Sequence, residues 1–247
     1  QLFYKWNSYD MSDPPTAGNK LKMRAGLWAE KVIEEYLMWE LTQGTIADFR
    51  GQVEVWGEHP DLNYFIHGYQ DFVVTANSGE QIGIEVKSSF GRGIVDIQKN
   101  GPKPEHVVQV AMYMKFGEPK RYYLVYIARD SGYRTQFELA LDGWIVTVDG
   151  VAQEFDWDHH FCRLIASERT VGAAVPPERE YSVAVKEGEI KRDFQFKNRK
   201  YTSDWQCMYC GWRTICHAAE IQRSAQGAIM YAGKVLNERH DDTRLLS

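Results

Sequence analysis

Hydrophobic and polar positions along this chain change period several times, and each change predicts an element. Between Lys20 and Leu41 the apolar residues Leu21, Ala25, Ala29, Val32, Ile33, Tyr36 and Leu37 recur every three or four positions, as on one face of an amphipathic helix. The period then drops to two. Segments near Gly51 to Trp56, Gln70 to Ala76 and Gln81 to Lys87 read as strands. A helix over Glu105 to Phe116, opened by Pro104, and a strand over Tyr122 to Ala128 come next. Thr135 to Leu141 and Trp144 to Val148 predict two more strands, with a tight turn at Val148-Asp149-Gly150-Val151. Asp156 to Arg169 predicts another helix, after which Gly172 to Pro177 breaks the chain. Interleaved helices and strands predict an α/β fold, a mixed sheet flanked by helices in a three-layer core. No internal repeat or low-complexity tract interrupts it. From Val171 the chain reads as an appended subdomain, giving a core over residues 1–170 and a C-terminal part over 171–247.

The densest chemistry falls on one predicted hairpin. Asn77-Ser78-Gly79 has its glycine third, as a three-residue hairpin loop prefers. With Ala76 facing Glu80, counting back by pairs sets Asp71 opposite Glu85, their Cβ atoms ~5 Å apart. Lys87 lies two residues past Glu85 and shares its face. Ile82, Ile84 and Val86 form the opposite, core face, so register selects the charged one. A solvated hairpin also carries Asp, Glu and Lys, and Glu-x-Lys alone says little. Two carboxylates beside a lysine suit a divalent cation that activates water against a phosphodiester. Gln109 and Tyr113, four apart, share one face of the predicted 105–116 helix. They read either as donors to a DNA phosphate or a catalytic group, or as a core tyrosine capped by an amide. Glu30 borders the apolar stripe of the first helix, among Glu34, Glu35 and Glu40.

Four blocks in order then carry a resemblance. They are Arg24-Ala25-Gly26-Leu27-Trp28-Ala29-Glu30, His67-Gly68-Tyr69-Gln70-Asp71, Gly83-Ile84-Glu85-Val86-Lys87 and Gln109-Val110-Ala111-Met112-Tyr113. Together they resemble the PD-(D/E)XK nuclease superfamily, and within it the RecB-like, CRISPR-associated-type exonuclease branch with a C-terminal cysteine cluster. The matching patterns are Gly-x-x-x-Glu, Gly-x-x-Asp, Glu-x-Lys and Gln-x-x-x-Tyr. The resemblance implies a restriction-endonuclease-like core with a C-terminal Cys-rich metal-binding subdomain. It implies Mg2+ or Mn2+ held by Asp71, Glu85 and the Val86 carbonyl, with Glu30 completing the site. Lys87 would orient or deprotonate the attacking water, and Gln109 and Tyr113 would position DNA. The activity implied is a DNA exonuclease that trims ends or single strands. The alternatives are an assembly subunit that binds nucleic acid with little cleavage, and a sequence-specific endonuclease. Similar nucleases work with partner proteins in recombination, repair, phage DNA processing and CRISPR adaptation.

A second signal lies near the C-terminus, where Cys207, Cys210 and Cys216 account for three of the four cysteines. Cys-x-x-Cys spacing lets two thiolates grip one metal centre. The plainer reading is three thiols in an aromatic-rich core. Exonucleases of this branch that carry a [4Fe-4S] cluster join a similar triplet to a cysteine upstream of the first helix, and residues 1–29 contain none. The fourth ligand is therefore open between Cys162, His217, His159, His160 and a cysteine preceding residue 1. Cys162 alone reads more readily as a buried core residue. The resemblance implies [4Fe-4S], while a histidine ligand suits Zn2+ better.

Composition sets bounds on these readings. The chain has 247 residues, 44% hydrophobic and 26% charged, as an ordinary globular protein does. No apolar run approaches the ~20 residues that span a membrane, and no secretory pattern is visible, so a cytoplasmic, intracellular protein without membrane partners is expected. A net charge of −5 is awkward for a DNA enzyme. Basic residues nevertheless cluster at Arg92, Lys99 and Lys103 and at Lys115, Lys120 and Arg121, which read more readily as solvated surface. A third cluster, Lys191, Arg192, Lys197, Arg199 and Lys200 among Phe194, Phe196 and Tyr201, reads equally as solvated surface or as a strand-tracking surface with base-stacking aromatics. No phosphate-binding Gly-Lys loop is present, which argues against an ATP-driven helicase. His67 reads as structural, and His59, His106 and His240 offer no constellation.

Overall fold

The computed structural model describes residues 10–59, 64–168, 181–208 and 210–237, and the predicted break over 172–177 lies outside them. The chain forms two compact units, Ala17–Ile165 and Gln1–Thr16 with Ala166–Ser247. The first holds α1 (Ala17–Gln43), β1 (Ile46–His59), β2 (Tyr64–Ala76), β3 (Gln81–Ser89), α2 (Gly91–Asn100), α3 (Pro104–Phe116), β4 (Arg121–Ala128), β5 (Arg134–Asp142), β6 (Ile145–Val148), β7 (Val151–Ala152) and the start of α4 (Trp157–Glu168).

Its seven strands lie side by side in chain order. Strands β3 and β4 are parallel from Gly83↔Tyr122 to Ser89↔Ala128, and the other neighbours are antiparallel. A parallel pair needs a crossover, which α2 and α3 supply. Strand β4 shows how the layers arise. Tyr122, Leu124, Tyr126 and Ala128 pack with Ile94 and Ile97 of α2, Val110 and Met114 of α3, and Phe161 of α4. Val125 and Ile127 pack with Ala29, Ile33 and Leu37 of α1, and the partly buried Tyr123 joins them. Period-two alternation therefore feeds a core on each face, and the α/β reading with a mixed, helix-flanked sheet holds. The buried stripe of α1 is narrower than expected. Leu21 is 68% exposed, and Tyr36, 46% exposed, turns its ring outward to Trp39 and Arg134.

Helix α2 was not predicted. Gly91 and Gly93 in its first turn are poor helix formers, and its cap comes from elsewhere. The Asp130 carboxylate, from the β4–β5 connection, accepts the Gly91 N–H at 3.0 and 3.1 Å. A Cβ on Gly93 would stand 2.4 Å from Ser89 Oγ, so a larger residue there would make the serine hydroxyl turn away.

The second unit has its own strands: β8 (Ala184–Lys186), β9 (Glu189–Lys191), β10 (Asp193–Phe196), β11 (Arg199–Thr202), β12 (Ile229–Tyr231) and β13 (Lys234–Asn237). A four-stranded sheet runs β13-β12-β8-β9, and β10 and β11 form a separate hairpin. Short helices α5 (Trp205–Met208) and α6 (Arg213–Cys216) and the longer α7 (Ala218–Ala225) complete it. Residues 10–16 cluster here rather than with the sheet they precede in sequence. Asp13 is the reason: its carboxylate accepts from the Thr214 N–H at 2.8 Å and pairs with Arg213 Nε at 3.0 Å. No helix among the described residues is long and apolar enough to cross a membrane.

Candidate active site

Strand register builds the site first. Phe72 to Thr75 pair with Ile84 to Gln81, the Ala76 N–H donates to Glu80 O at 2.8 Å, and Gly79 closes the loop at φ +87°. This is the expected three-residue turn, and one step beyond Phe72↔Ile84 sets Asp71 against Glu85. The ladder stops at that step. Instead of continuing it, Asp71 Oδ2 accepts the Val86 N–H at 2.7 Å.

The ladder stops because alternation breaks at Asp71 and at its β1 partner Gln52. Phe72 packs in the α1 cluster, yet Gln70, two residues away, turns to the α3 side, where its Oε1 accepts the Tyr122 hydroxyl. Residues two apart on an unbroken strand share a face. Pairs Gly51↔Phe72 and Val53↔Gln70 leave Gln52 opposite Asp71, and Gln52 sits at φ +50°. That left-handed conformation costs a non-glycine residue roughly 1 kcal/mol. Beyond the break β2 stays paired with β1, and the carboxylates meet where β2 leaves β3.

Glu85 is 1% exposed; its Oε1 lies 2.5 Å from Lys87 Nζ, and its Oε2 is buried without a hydrogen-bond partner. Burial, and then the neighbouring Asp71, push the Glu85 carboxyl up to about 7 against the pull of Lys87. Burial raises Asp71 as well, offset in part by the Val86 N–H, Lys87 and a hydrogen bond from Gln52. Glu30, from α1, is raised by burial and then by Asp71. Gln52 Nε2 donates to Glu30 Oε2 at 3.4 Å, so one amide ties α1 to β2 through two carboxylates. Gln52 carries no motif, and its left-handed backbone is the structural feature that marks it. Glu34, one turn on, pairs instead with Lys31 at 2.7 Å.

Helix α3 supplies the adjoining wall. Tyr113 lies over Gly68, where a Cβ would come within 2.9 Å of its ring, and its hydroxyl accepts from Gln109 Nε2 at 2.9 Å. Burial raises the phenol pKa, and Glu85 and Asp71 raise it further, which puts Tyr113 within electrostatic reach of both acids. His106, unassigned by motif, is also near: burial and then Lys87 push its pKa down to about 4. The Tyr126 hydroxyl accepts the Lys103 N–H and stands 2.8 Å from Nδ1 of this neutral imidazole. His67 lies outside the site, stacked on Trp56 and 2.7 Å from Glu54.

Carboxylate and carbonyl oxygens are the donors that Mg2+ and Mn2+ prefer, and the unpartnered Glu85 Oε2 fits such an ion. Among the described residues, however, no three His, Cys, Asp or Glu side chains are gathered into a metal-holding group. Asp71 and Glu85 form a pair, with the Val86 backbone beside them.

Of the cysteines, Cys207 is buried, with its Sγ 3.8 Å from His217 Nε2. Burial, then Cys216 and Cys210, push its thiol up to about 11. Cys210 and Cys216 pack against the buried Trp212. Cys162 is exposed on α4 rather than buried in the core, because it follows the inward-facing Phe161 on the helix. On the same helix the His159 N–H bonds to Asp156, and His160 packs on Phe155.

The second basic cluster is engaged within the protein. Lys115 lies 3.1 Å over the Trp144 ring, Lys120 donates to the carbonyls of Met114 and Gly117, and Arg121 pairs with Glu80 and Glu138. In the third cluster Lys191 pairs with Glu189 and Lys200 with Asp193, while Phe194 stacks on Tyr201.

No family model and no curated protein matches this chain. A solved structure described as "Crystal structure of SSO0001" is similar over 77% of this chain and 68% of its own, at 19% identity and a TM-score of 0.43.

Proposed function

We propose that this protein is a metal-dependent deoxyribonuclease of PD-(D/E)XK type that hydrolyses phosphodiester bonds at DNA ends or in single strands. One observation carries the reading. Asp71 and Glu85 are buried together beside Lys87, with their carboxyl pKa values raised and one Glu85 oxygen unpartnered. Burying two acids at such a cost is the mark of a site that binds a cation or moves a proton.

A divalent cation held by Asp71, Glu85 and the Val86 carbonyl would supply Lewis acidity and a bound water of lowered pKa. The chain's own residues do the rest. Lys87 holds Glu85 through its 2.5 Å contact and offers positive charge to the pentavalent phosphate. Gln52 keeps Glu30 and Asp71 in fixed relation. Tyr113, steadied by Gln109, closes the wall beside the acids. Hydrolysis forms one P–O bond from water and breaks another, so no group transfer to the protein is required.

The test is cleavage of end-labelled single- and double-stranded DNA by the wild type, Asp71→Ala and Lys87→Ala in Mn2+, Mg2+ and EDTA. Metal-dependent nucleotide release by the wild type alone is expected. Unchanged cleavage in either variant, or binding without cleavage by all three, would overturn the assignment.

A further inference from the structure

Among the described residues, the unit that holds the cysteine triplet buries few apolar side chains. Its main buried cluster is Val183, Val185, Cys207, Ala228 and Met230, and Trp212 is buried separately against Cys210 and Cys216. Where a buried apolar cluster is this small, a disulfide or a structural metal is a common staple. None of the four cysteines is in a disulfide.

Into this small interior the chain has placed an imidazole and a carboxylate, His217 at 2% and Glu220 at 5% exposure. Such groups cost several kcal/mol to bury unless both are engaged. They lie in a line: Glu220 Oε1 is 3.5 Å from His217 Nδ1, and His217 Nε2 is 3.8 Å from Cys207 Sγ. A carboxylate that fixes the ring at one nitrogen, leaving the other for a metal, is the usual outer support of a zinc-bound histidine. With Zn–S ~2.3 Å and Zn–N ~2.0 Å in a tetrahedron, the S···N edge is about 3.5 Å, a few tenths of an ångström under the separation here. The neighbouring sulfur is supported too. The Cys210 N–H donates to Cys207 O at 3.3 Å, which folds the Cys-x-x-Cys turn, and the Trp212 N–H points at Cys210 Sγ from 3.5 Å. Cys216 ends α6, immediately before His217.

The geometry points to a structural zinc site with Cys207, Cys210, Cys216 and His217 as ligands and Glu220 as the residue that orients the imidazole. The imidazole decides the metal. Three thiolates and one nitrogen make a closed zinc set, whereas the iron-sulfur cluster of the resembled exonucleases takes thiolates throughout. The donors form an open set as they stand, so loading requires Cys210 and Cys216 to close on the Cys207–His217 edge.

The full-length chain, expressed with iron and zinc both supplied, is analysed for metals and acid-labile sulfide. About one zinc per chain, without sulfide or a brown chromophore, is expected. His217→Cys retains zinc, and His217→Ala loses it. Glu220→Gln keeps the stoichiometry but yields zinc to a competing chelator with 10- to 100-fold weaker affinity. Asp71→Ala leaves zinc content unchanged, so the result is independent of the nuclease reading. Iron with sulfide in the wild type, a wild type that takes up no metal, or undiminished zinc binding in His217→Ala would overturn the assignment. Should His217→Ala fail to fold, the wild-type metal content and the Glu220→Gln affinity still decide it.

Discussion

The raised pKa of Glu85 makes a sharp prediction for stability in the absence of divalent cations. The folded state holds this proton more tightly than the unfolded chain, with a rise from 4.5 to about 7. The contribution is therefore favourable below the unfolded pKa and is lost as pH climbs from there through the folded value. At ~1.4 kcal/mol per unit, that loss approaches about 3 kcal/mol by pH 8. Glu85→Gln removes the charge and keeps the shape. It also weakens the contact to Lys87, a loss of about 1 kcal/mol, so the variant should be more stable than the wild type at pH 8 by about 2 kcal/mol. Denaturant unfolding in EDTA at pH 5 and pH 8 measures this, with a melting shift of roughly 4–8 °C in parallel. Adding Mn2+ should stabilise the wild type at pH 8 and leave the variant unmoved. A variant less stable than the wild type at pH 8, or stabilised equally by Mn2+, would refute the electrostatic account of this pair.

Two further substitutions probe the break in alternation and the wall beside it. Gln52→Ala and Gln52→Gly both lose the amide between Glu30 and Asp71, so both should lower kcat roughly tenfold or more with KM little changed. At φ +50° the glycine variant should nevertheless be more stable than the alanine variant by about 1 kcal/mol, read by chemical unfolding. Gly68→Ala would press a methyl against Tyr113 and should destabilise the protein by about 1–3 kcal/mol while reducing cleavage, measured on the same samples.

The hairpin was legible because its determinants are local. Glycine at the third loop position and period-two apolar residues set the pairing that brings Asp71 to Glu85. The course of β2 beyond that pairing was hidden. Unbroken alternation would put Gln70 and Phe72 on one face, and the break depends on Gln52, a residue with no composition cue, taking a left-handed backbone. Helix α2 escaped prediction because the carboxylate that caps it comes from Asp130, far along the chain. The Gln109–Tyr113 spacing predicted a shared face, and the two side chains do bond, but only the fold sets Tyr113 over Gly68 and toward the acids. Lys115, Lys120 and Arg121 read more readily as a solvated surface, and a related reason hid their engagement: each meets a partner distant in sequence or a carbonyl. In the second unit the strands are three or four residues long, too short for periodicity to register.

Asp71, Glu85 and Lys87 all fall on a single hairpin, which sets when during folding the acids meet. Hairpins close within ~1–10 μs, and local pairings form ahead of those that must close long loops. The two acids therefore come together when the Asn77–Gly79 loop zips, before Glu30 on α1 or Tyr113 on α3 need be near. A protein that drew its acids from distant elements would postpone their repulsion to the last docking step. Here it opposes one of the earliest, so metal-free chains should refold more slowly above the carboxylate pKa, and Glu85→Gln should relieve the delay.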